Sequence, residues 1–520
     1  MAPLLWQQGL LIVAVILAVS ITFAWWVEWI EGKEDRGEAF LSKFLRIDLL
    51  RTQSGWGYLL RILLLSAGVF LWVFAAGLAQ GWLPMNPDKF AGLPLLHALH
   101  LAMAVTTHTN WQPFAPEKEL TPFTQAFATC LGNFLVGTIC VAAWRSLVKA
   151  LSRQPIGNAW AGIYRGILIL LPVQIILTAI LISQGVCETL TPKHNSEGLV
   201  ATFAACSVSV GAGPGWTSDN AFSTIENPST TSDMALLAGL VALPVGFCFA
   251  TGGLIKRRKL MVLLTLVMLG ILLAFTCATQ AYTTNLHDKP RWALSESLWL
   301  NATAGSGNGS QNAAVENFQP MGRLTPFLTL LGGLPLPPAL GIGVGTLLMY
   351  LLIATYLAAL MAGRSPEFLG FKTRMGLIGA TAVGTLGPPL LLLCTAAFLV
   401  LTPAALALFK TNGPYGMSAL LWAIGSWTQN NGSAMSLATD APIFIQTSIA
   451  VMGIGRIMAL FSVVMLAGAI AQQKDDPALP PSVEPDGAVM LGFWVAVMLV
   501  GAVLSMLPLI MMGPLLEAIK

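Results

Sequence analysis

Charge is what this sequence has least of. Asp, Glu, Lys and Arg make up 10% of its 520 residues, against roughly 25% in an ordinary soluble protein. At about 150 residues per domain the length would suit three or four soluble domains, but so few charges cannot solvate their surfaces. The balance of 27 basic to 24 acidic residues, net +3, is too small to argue for nucleic acid. No basic residue precedes Lys33, so the apolar stretch 8–27 lacks the positive start of a signal peptide. It is long enough to cross a bilayer and reads as a retained first helix. The seven cysteines are odd in number and show no Cys-x-x-Cys spacing. Cys130, Cys140, Cys248, Cys277 and Cys394 fall in apolar stretches and read as buried, inert thiols, while Cys187 and Cys206 are the one pair expected near one side. A Gly-rich phosphate loop and an Asp-Lys-Thr-Gly run are both missing, and the longest inner connection, 28–57, is too short for a nucleotide-binding domain. The chain is therefore not expected to be an ATPase by itself.

What the sequence has in abundance is hydrocarbon: 55% of its residues are hydrophobic and mean hydropathy is +0.73. Ten runs are long enough to span, near 8–27, 58–82, 123–144, 165–186, 234–255, 260–281, 340–361, 376–402, 443–470 and 488–511. The connections 28–57, 145–164, 256–259, 362–375 and 471–487, with their flanking helix ends, hold 18 of the 27 basic residues. The other side holds eight: Lys89, Lys118, Lys193, Lys289, Arg291, Arg323, Lys410 and Lys520. Basic residues stay in the cytoplasm, which places both termini outside. The Pro-rich stretch 477–485 reads as a cytoplasmic linker.

The outer connections carry the pattern. Each holds a short apolar segment, then small and polar residues, then the next span. The segments are Leu95–Val105 followed by Thr106-Thr107-His108-Thr109-Asn110-Trp111, and Gly198–Val208 followed by Ser209-Val210-Gly211-Ala212-Gly213. The third is Leu294–Ala302 followed by Thr303-Ala304-Gly305-Ser306-Gly307-Asn308-Gly309, and the fourth Met417–Gly425 followed by Ser426-Trp427-Thr428-Gln429-Asn430-Asn431-Gly432-Ser433. With Asn110, Gly213, Gly309 and Gly432 as markers the spacings are 103, 96 and 123 residues. Non-helical backbone at membrane depth is tolerated where it lines a water-filled path or is buried in protein. Four such loops around an axis can turn carbonyls inward and replace the hydration shell of a monovalent cation, each half-helix pointing its negative end at the ion. The fold expected is an all-α polytopic membrane protein of ten transmembrane helices, with four channel-like helix–pore loop–helix repeats around a central pore. Its units are an N-terminal helix and cytoplasmic loop over 1–57, repeats over 58–145, 165–255, 260–361 and 376–470, and a C-terminal helix over 488–520.

Several motifs resemble those of the KdpA family, the potassium-binding subunits of bacterial Kdp potassium pumps. They are Leu83-Pro84-Met85-Asn86-Pro87, Thr107-His108-Thr109-Asn110-Trp111 (the family usually has Asn at the second position), Gly157-Asn158-Ala159-Trp160 and Glu226-Asn227-Pro228. Further along come Gly363-Arg364-Ser365-Pro366-Glu367-Phe368-Leu369-Gly370, Asn430-Asn431-Gly432-Ser433-Ala434 and Gly455-Arg456. The resemblance implies a K⁺-selective subunit in the bacterial inner membrane, K⁺ being the transported ion. It implies a P-type ATPase partner, KdpB, with KdpC and KdpF completing the complex and the ion passing sideways into KdpB. It implies filter residues at Thr107, His108, Thr109, Asn110, Gly211, Ala212, Gly213, Asn308, Gly309, Asn430, Asn431 and Gly432. A self-sufficient channel or symporter of the same superfamily, and a paralogue that binds no ion, are the alternatives.

The departures from the family are local. Its second loop usually reads Gly-Thr-Asn-Gly-Gly-Gly, but here Gly211-Ala212-Gly213-Pro214-Gly215-Trp216 stands instead, and Gly307-Asn308-Gly309 replaces a Ser-Cys-Gly run. Pro214 restricts its predecessor and offers no N–H, so Gly213→Ser is expected to matter less than Gly432→Ser. In the seventh span a Gln-Ile-Gly-Glu stretch gives way to Leu331-Gly332-Gly333-Leu334-Pro335-Leu336-Pro337-Pro338, with no acidic residue. Arg456 is the one charge deep in an apolar run and reads as a cation below the filter that stops free conduction. His97 and His100 lack a third ligand nearby and read as packing or surface residues. His108 is expected to use its carbonyl, with its imidazole turned from the ion. The Asn-x-Ser/Thr triplets at Asn301, Asn308 and Asn431 read as coincidence, not as glycosylation sites.

Overall fold

The computed structural model describes residues 2–33, 36–46, 48–283, 294–435, 441–481 and 484–519. Lys289, Arg291 and Lys520, assigned above to the outer side, lie outside them. The chain begins with α1 (Ala2–Gly32) and the short α2 (Arg36–Leu45). Four units then follow one plan. In the first, α3 (Gly55–Ala79) crosses, α4 (Leu95–Thr106) goes part of the way, the single turn α5 (Pro116–Glu119) lies in the connection, and α6 (Leu131–Leu151) returns after a π-helical turn at Thr124–Cys130. The second is α7 (Ala159–Ser183), α8 (Val200–Ser209) and α9 (Thr230–Leu254). The third is α10 (Arg258–Ala281), α11 (Ser295–Ser306), α12 (Leu324–Gly332) and α13 (Ile342–Met361). A two-residue hairpin, β1 (Glu367–Phe368) with β2 (Phe371–Lys372), leads to the fourth: α14 (Met375–Leu399), α15 (Pro403–Thr428) and α16 (Pro442–Ala471). The chain closes with α17 (Ala488–Ile510) and α18 (Leu516–Ile519).

Among the described residues, ten helices are long and apolar enough to cross a membrane, and each overlaps one of the ten hydropathy runs. Their ends are set by local chemistry. The Ser54 hydroxyl accepts from the Gly57 N–H, the Asn158 side chain accepts from Trp160, and Ser229 and Ser232 cap each other's N–H groups at the start of α9. At about 1.5 Å per residue, α4 and α8 reach roughly half the ~30 Å hydrocarbon core, so they can only enter and stop. In α15 the stop comes from inside: Gly413 takes φ +56° and ψ −137°, and Pro414 follows, so residues 414–428 form a separate half-helix. Helices α6 and α9 are buried over most of their circumference, whereas α1, α3, α7, α14 and α17 keep an exposed apolar face.

Charges sort to the two ends of the bundle. At one end Arg145 reaches Glu31 at 2.8 Å and Glu38 at 3.3 Å, and Arg165 reaches Glu38 at 2.7 Å, all four side chains being buried. This network ties α1 and α2 to α6 and α7. At the same end Lys259 meets Asp486 at 2.9 Å, Arg374 meets Asp476 at 2.8 Å, and Arg153 donates to the Asp476 and Gly370 carbonyls. Arg323 pairs with Glu517 at the opposite end. The loops grouped above as basic therefore share one end.

Three expectations need correction. Residues 331–338 are not in the seventh span: Leu331 and Gly332 finish α12, and Gly333 (φ +62°) with three prolines keeps the chain irregular until α13 starts at Ile342. Cys277 and Cys394 are exposed, on faces of α10 and α14 that point away from the protein; an apolar run says only that a thiol lies at membrane depth. Cys206 has Cys130 beside it, its thiol 3.5 Å from the Cys130 carbonyl, because α8 descends against the π-helical turn.

Candidate functional site

Each half-helix ends because the next residues turn left-handed. Positive φ occurs at His108 and Asn110, at Gly211 and Gly213, at Gly307 and Gly309, and at Asn430 and Gly432. The alternation has the same spacing in all four loops, and it puts Asn110, Gly213, Gly309 and Gly432 at equivalent positions. Three loops share a further mark. The N–H of Thr109, Ala212 and Asn431 each bonds a carbonyl five residues back, on Ala104, Ser207 and Ser426, at 2.8–3.0 Å. Five of the eight left-handed positions are glycine, and the others are Asn or His, the L-residues that tolerate this region best.

The loops close a ring in chain order. Any Cβ on Gly213 would land on the Asn308 carbonyl, one on Gly309 on the Asn431 carbonyl, and one on Gly432 on the Thr109 carbonyl. The remaining junction, from the first loop to the second, uses a side chain: Asn110 Nδ2 donates to the Ala212 carbonyl at 3.0 Å. Asn133 of α6 holds that amide, the two side chains exchanging bonds of 2.8 and 3.1 Å. Two more amides stitch each loop to its neighbour's half-helix: Asn308 Nδ2 to the Ser207 carbonyl (2.8 Å) and Asn431 Nδ2 to the Thr303 carbonyl (2.6 Å). Asn430 Nδ2 donates to the Thr109 hydroxyl at 2.9 Å, and Thr109 pairs with Thr107 at 2.8 Å. Every sequence-expected filter residue thus falls within the four loops or their junctions.

The third and fourth loops are braced alike. Asn308 Oδ1 accepts from the Ser310 N–H and Asn431 Oδ1 from the Ser433 N–H, at 3.1 and 3.0 Å. Trp299 Nε1 donates to the Ser310 carbonyl and Trp422 Nε1 to the Ser433 hydroxyl. The signal was present in the sequence as Trp, nine residues, then Gly-Ser, in both repeats. The triplets Asn308-Gly309-Ser310 and Asn431-Gly432-Ser433 are this brace. In the second loop Ala212 and Pro214 stand where Asn and Ser would be, so acceptor and N–H donor are lost together, which leaves no orphaned group. The replacement comes from behind: Asn220 Nδ2 donates to the Gly213 carbonyl at 2.8 Å, and the buried Trp216 indole donates to the Asn195 carbonyl at 3.2 Å. Pro214 therefore does not relax the site. Gly213 keeps φ +55° and the same crowded junction as Gly432, so the geometry offers no reason for the expected difference between them.

Glu226 of the Glu-Asn-Pro motif anchors this bracing segment, accepting from Thr217 N–H at 2.9 Å and the Thr217 hydroxyl at 3.0 Å. Burial pushes its carboxyl up to about 7, against the opposing pull of the Thr217 bonds. Because the folded group holds its proton more tightly than the unfolded one, stability should fall as pH rises from about 4.5 through about 7 and level off above. Thermal unfolding of the purified protein between pH 5 and 8 should show that decline, and Glu226→Gln, which keeps the acceptor oxygen, should flatten it. Equal slopes in both proteins would exclude Glu226 as the cause.

Beneath the ring is a cavity of about 110 Å³, lined by His108, Gly211, Gly307 and Asn430 from the loops, Cys140 of α6 and Arg456 of α16. Arg456 is buried, its Nη2 3.1 Å from the Cys140 thiol, and its Nε has no protein partner. Gly455 lets α16 approach this closely, since a side chain there would strike the Thr428 carbonyl. Gly332, Gly333, Leu334 and Pro335 form one wall, and Gly384, Thr385, Pro388 and Pro389 of α14 another. His108 Nε2 is buried without a partner. The two other sequence-singled histidines are engaged elsewhere: His97 with Glu119 at 3.1 Å and stacked on Phe114, His100 with the Ser448 hydroxyl at 3.0 Å.

The chain is similar to known proteins in sequence and in fold. A family model described as "KdpA: Potassium-transporting ATPase A subunit" matches residues 9–519. The "Potassium-transporting ATPase potassium-binding subunit" of Pectobacterium atrosepticum is 28% identical, over 93% of this chain and 92% of that one. The protein of the same description from Mycobacterium tuberculosis is 27% identical over 99% of both. Among solved structures, the potassium transporter TrkH from Vibrio parahaemolyticus aligns with a TM-score of 0.53 at 14% identity, over 87% of this chain and 97% of that one. That likeness concerns the fold.

Proposed function

The chain belongs to the KdpA family of potassium-transporting ATPase A subunits, and on that premise we propose that the closed ring of four loops is its potassium filter. It is the potassium-binding subunit of a potassium-transporting ATPase, a multi-pass membrane protein that works with an ATPase partner. The observation that supports the filter is the alternating left-handed backbone repeated four times and closed by carbonyl–glycine junctions. Such a backbone presents successive carbonyls at fixed spacing, which is what replaces the water shell of a monovalent ion. Thr107, His108, Thr109, Asn110, Gly211, Ala212, Gly213, Asn308, Gly309, Asn430, Asn431 and Gly432 line the path. The basic end of the bundle is cytoplasmic, so K⁺ enters the ring from outside the cell membrane, with both termini on that side.

Below the ring Arg456 stands in the direct route. The cavity extends instead to Pro388 and Pro389 of α14, a helix whose other face lies on the outside of the chain. K⁺ leaves sideways there, toward a P-type subunit, KdpB, with KdpC and KdpF completing the assembly. The test is ATP hydrolysis. A verified preparation of this chain alone should show none, and the assembled complex should hydrolyse ATP in a K⁺-stimulated manner. Activity in the single-chain preparation, or a complex indifferent to K⁺, would reject the reading.

A further inference from the structure

Two hollows on the membrane-facing side share Trp26 and Pro172 and so form one groove. The larger hollow, about 980 Å³, lies among α1, α7 and α9 and is walled mainly by hydrocarbon, including Val15, Phe23, Ile176 and Met234. Pro172 interrupts the hydrogen-bond ladder of α7 where the two hollows meet. The smaller one, about 430 Å³, opens at the basic end beside Trp29, Lys33 and Tyr164. From Val15 to Lys33 the groove follows about 27 Å of helix, nearly the ~30 Å hydrocarbon thickness.

The mouth has a distinct chemistry. The Lys33 ammonium rests 3.2 Å from the centre of the Trp29 ring and has no carboxylate partner among the described residues. The neighbouring network joins Arg145 to Glu31 and Glu38 and Arg165 to Glu38, and neither of these two carboxylates pairs with Lys33. The Tyr164 hydroxyl faces Gly37 of α2, where any side chain would strike it at 2.6 Å. On the outer side of α2, Phe40 and Phe44 are 69% and 75% exposed with near-parallel rings 6.4 Å apart. Exposed aromatics on a short amphipathic helix at the end of a span mark the headgroup level of a membrane.

We propose that this groove holds one anionic phospholipid, its phosphodiester on Lys33 and Tyr164 and its chains in the trough between α1 and α7. Placing it in the cytoplasmic leaflet rests on the orientation given under Proposed function. The charge at the mouth and its continuity with a hydrocarbon trough favour a lipid over a partner's transmembrane segment, which would leave the ammonium unmatched.

The test uses the purified complex in detergent, challenged with phosphatidylglycerol or phosphatidylcholine of identical chains and read by native mass spectrometry. The wild type should retain about fivefold more phosphatidylglycerol, the factor supplied by one lysine near an anionic headgroup. Lys33→Gln should bring the two lipids to within about twofold of each other. Ala18→Trp, which fills the trough, should lower retention of both several-fold. Each variant is first checked for monodisperse elution, and Lys33→Gln decides the matter if Ala18→Trp does not assemble. Equal retention of both lipids by the wild type, an undiminished preference in Lys33→Gln, or an Ala18→Cys cross-link to another subunit in place of bound lipid would each overturn the proposal.

Discussion

A serine at Gly213 is expected to raise the K⁺ concentration for half-maximal ATPase activity at least about thirtyfold, and a serine at Gly309 or Gly432 to do the same. Two effects add at each position. The backbone sits at φ +55°, +80° and +96°, where an L-residue costs roughly 1–2 kcal/mol. The new Cβ also meets a neighbouring carbonyl that cannot retreat without opening the ring, and overpacking of this kind costs about 1–3 kcal/mol. A combined cost of about 2 kcal/mol is already near thirtyfold. Gly185 supplies the control. It has φ +88° but open space around it, so Gly185→Asn should leave the K⁺ dependence alone. The measurement is a K⁺ titration of the assembled complex, with membrane insertion of each variant confirmed. A mild Gly213→Ser beside a severe Gly432→Ser would show that the second loop has withdrawn from the ring despite its backbone.

Replacing Arg456 with methionine is expected to uncouple the pump. The guanidinium is buried against a thiol and faces the cavity under the ring. Methionine keeps its bulk and removes its charge. Cys140 is not orphaned, because its thiol also lies 3.4 Å from the Val136 carbonyl. Two unit charges about 8 Å apart repel by about 2 kcal/mol at an effective dielectric of about 20, so passive K⁺ flux should rise tenfold or more and ATP consumed per ion should increase. A purely structural arginine would behave otherwise: losing an unmatched buried charge would stabilise the helix and leave transport unchanged. Flux into proteoliposomes, with and without ATP, separates the two, and Arg456→Lys should retain the block.

The ten crossings were legible because hydropathy is a local property, and so was the loop register. Asn110, Gly213, Gly309 and Gly432, picked as markers from composition, are the second left-handed residue of each loop. What holds the loops was not legible in the same way. Asn133 is one polar residue in an apolar run, and only the fold shows that it meets Asn110, 23 residues earlier. Asn220 lies in a connection with many polar residues, and nothing near it in sequence indicates that it substitutes for the brace lost at Ala212 and Pro214. The break at 331–338 is hidden in the sequence because apolar residues continue through it. There Gly333 and the prolines, not polarity, end the helix. Helix α2 is hidden from hydropathy because its ten residues carry charges, although Glu38 turns inward to Arg145 and Arg165 while Phe40 and Phe44 turn out.

The ring closes within a single polypeptide, and that changes what one mutation can do. In an assembly of four identical chains, any substitution strikes all quadrants at once, and an intermediate with one altered quadrant does not exist. Here each quadrant is inherited separately. The second could exchange an asparagine–serine brace for alanine and proline, and recruit Asn220 from outside, while the third and fourth kept theirs. Its aperture can therefore be retuned by degrees, one wall at a time, and two relatives with equally functional apertures need not share the same residue at any given quarter of the circle.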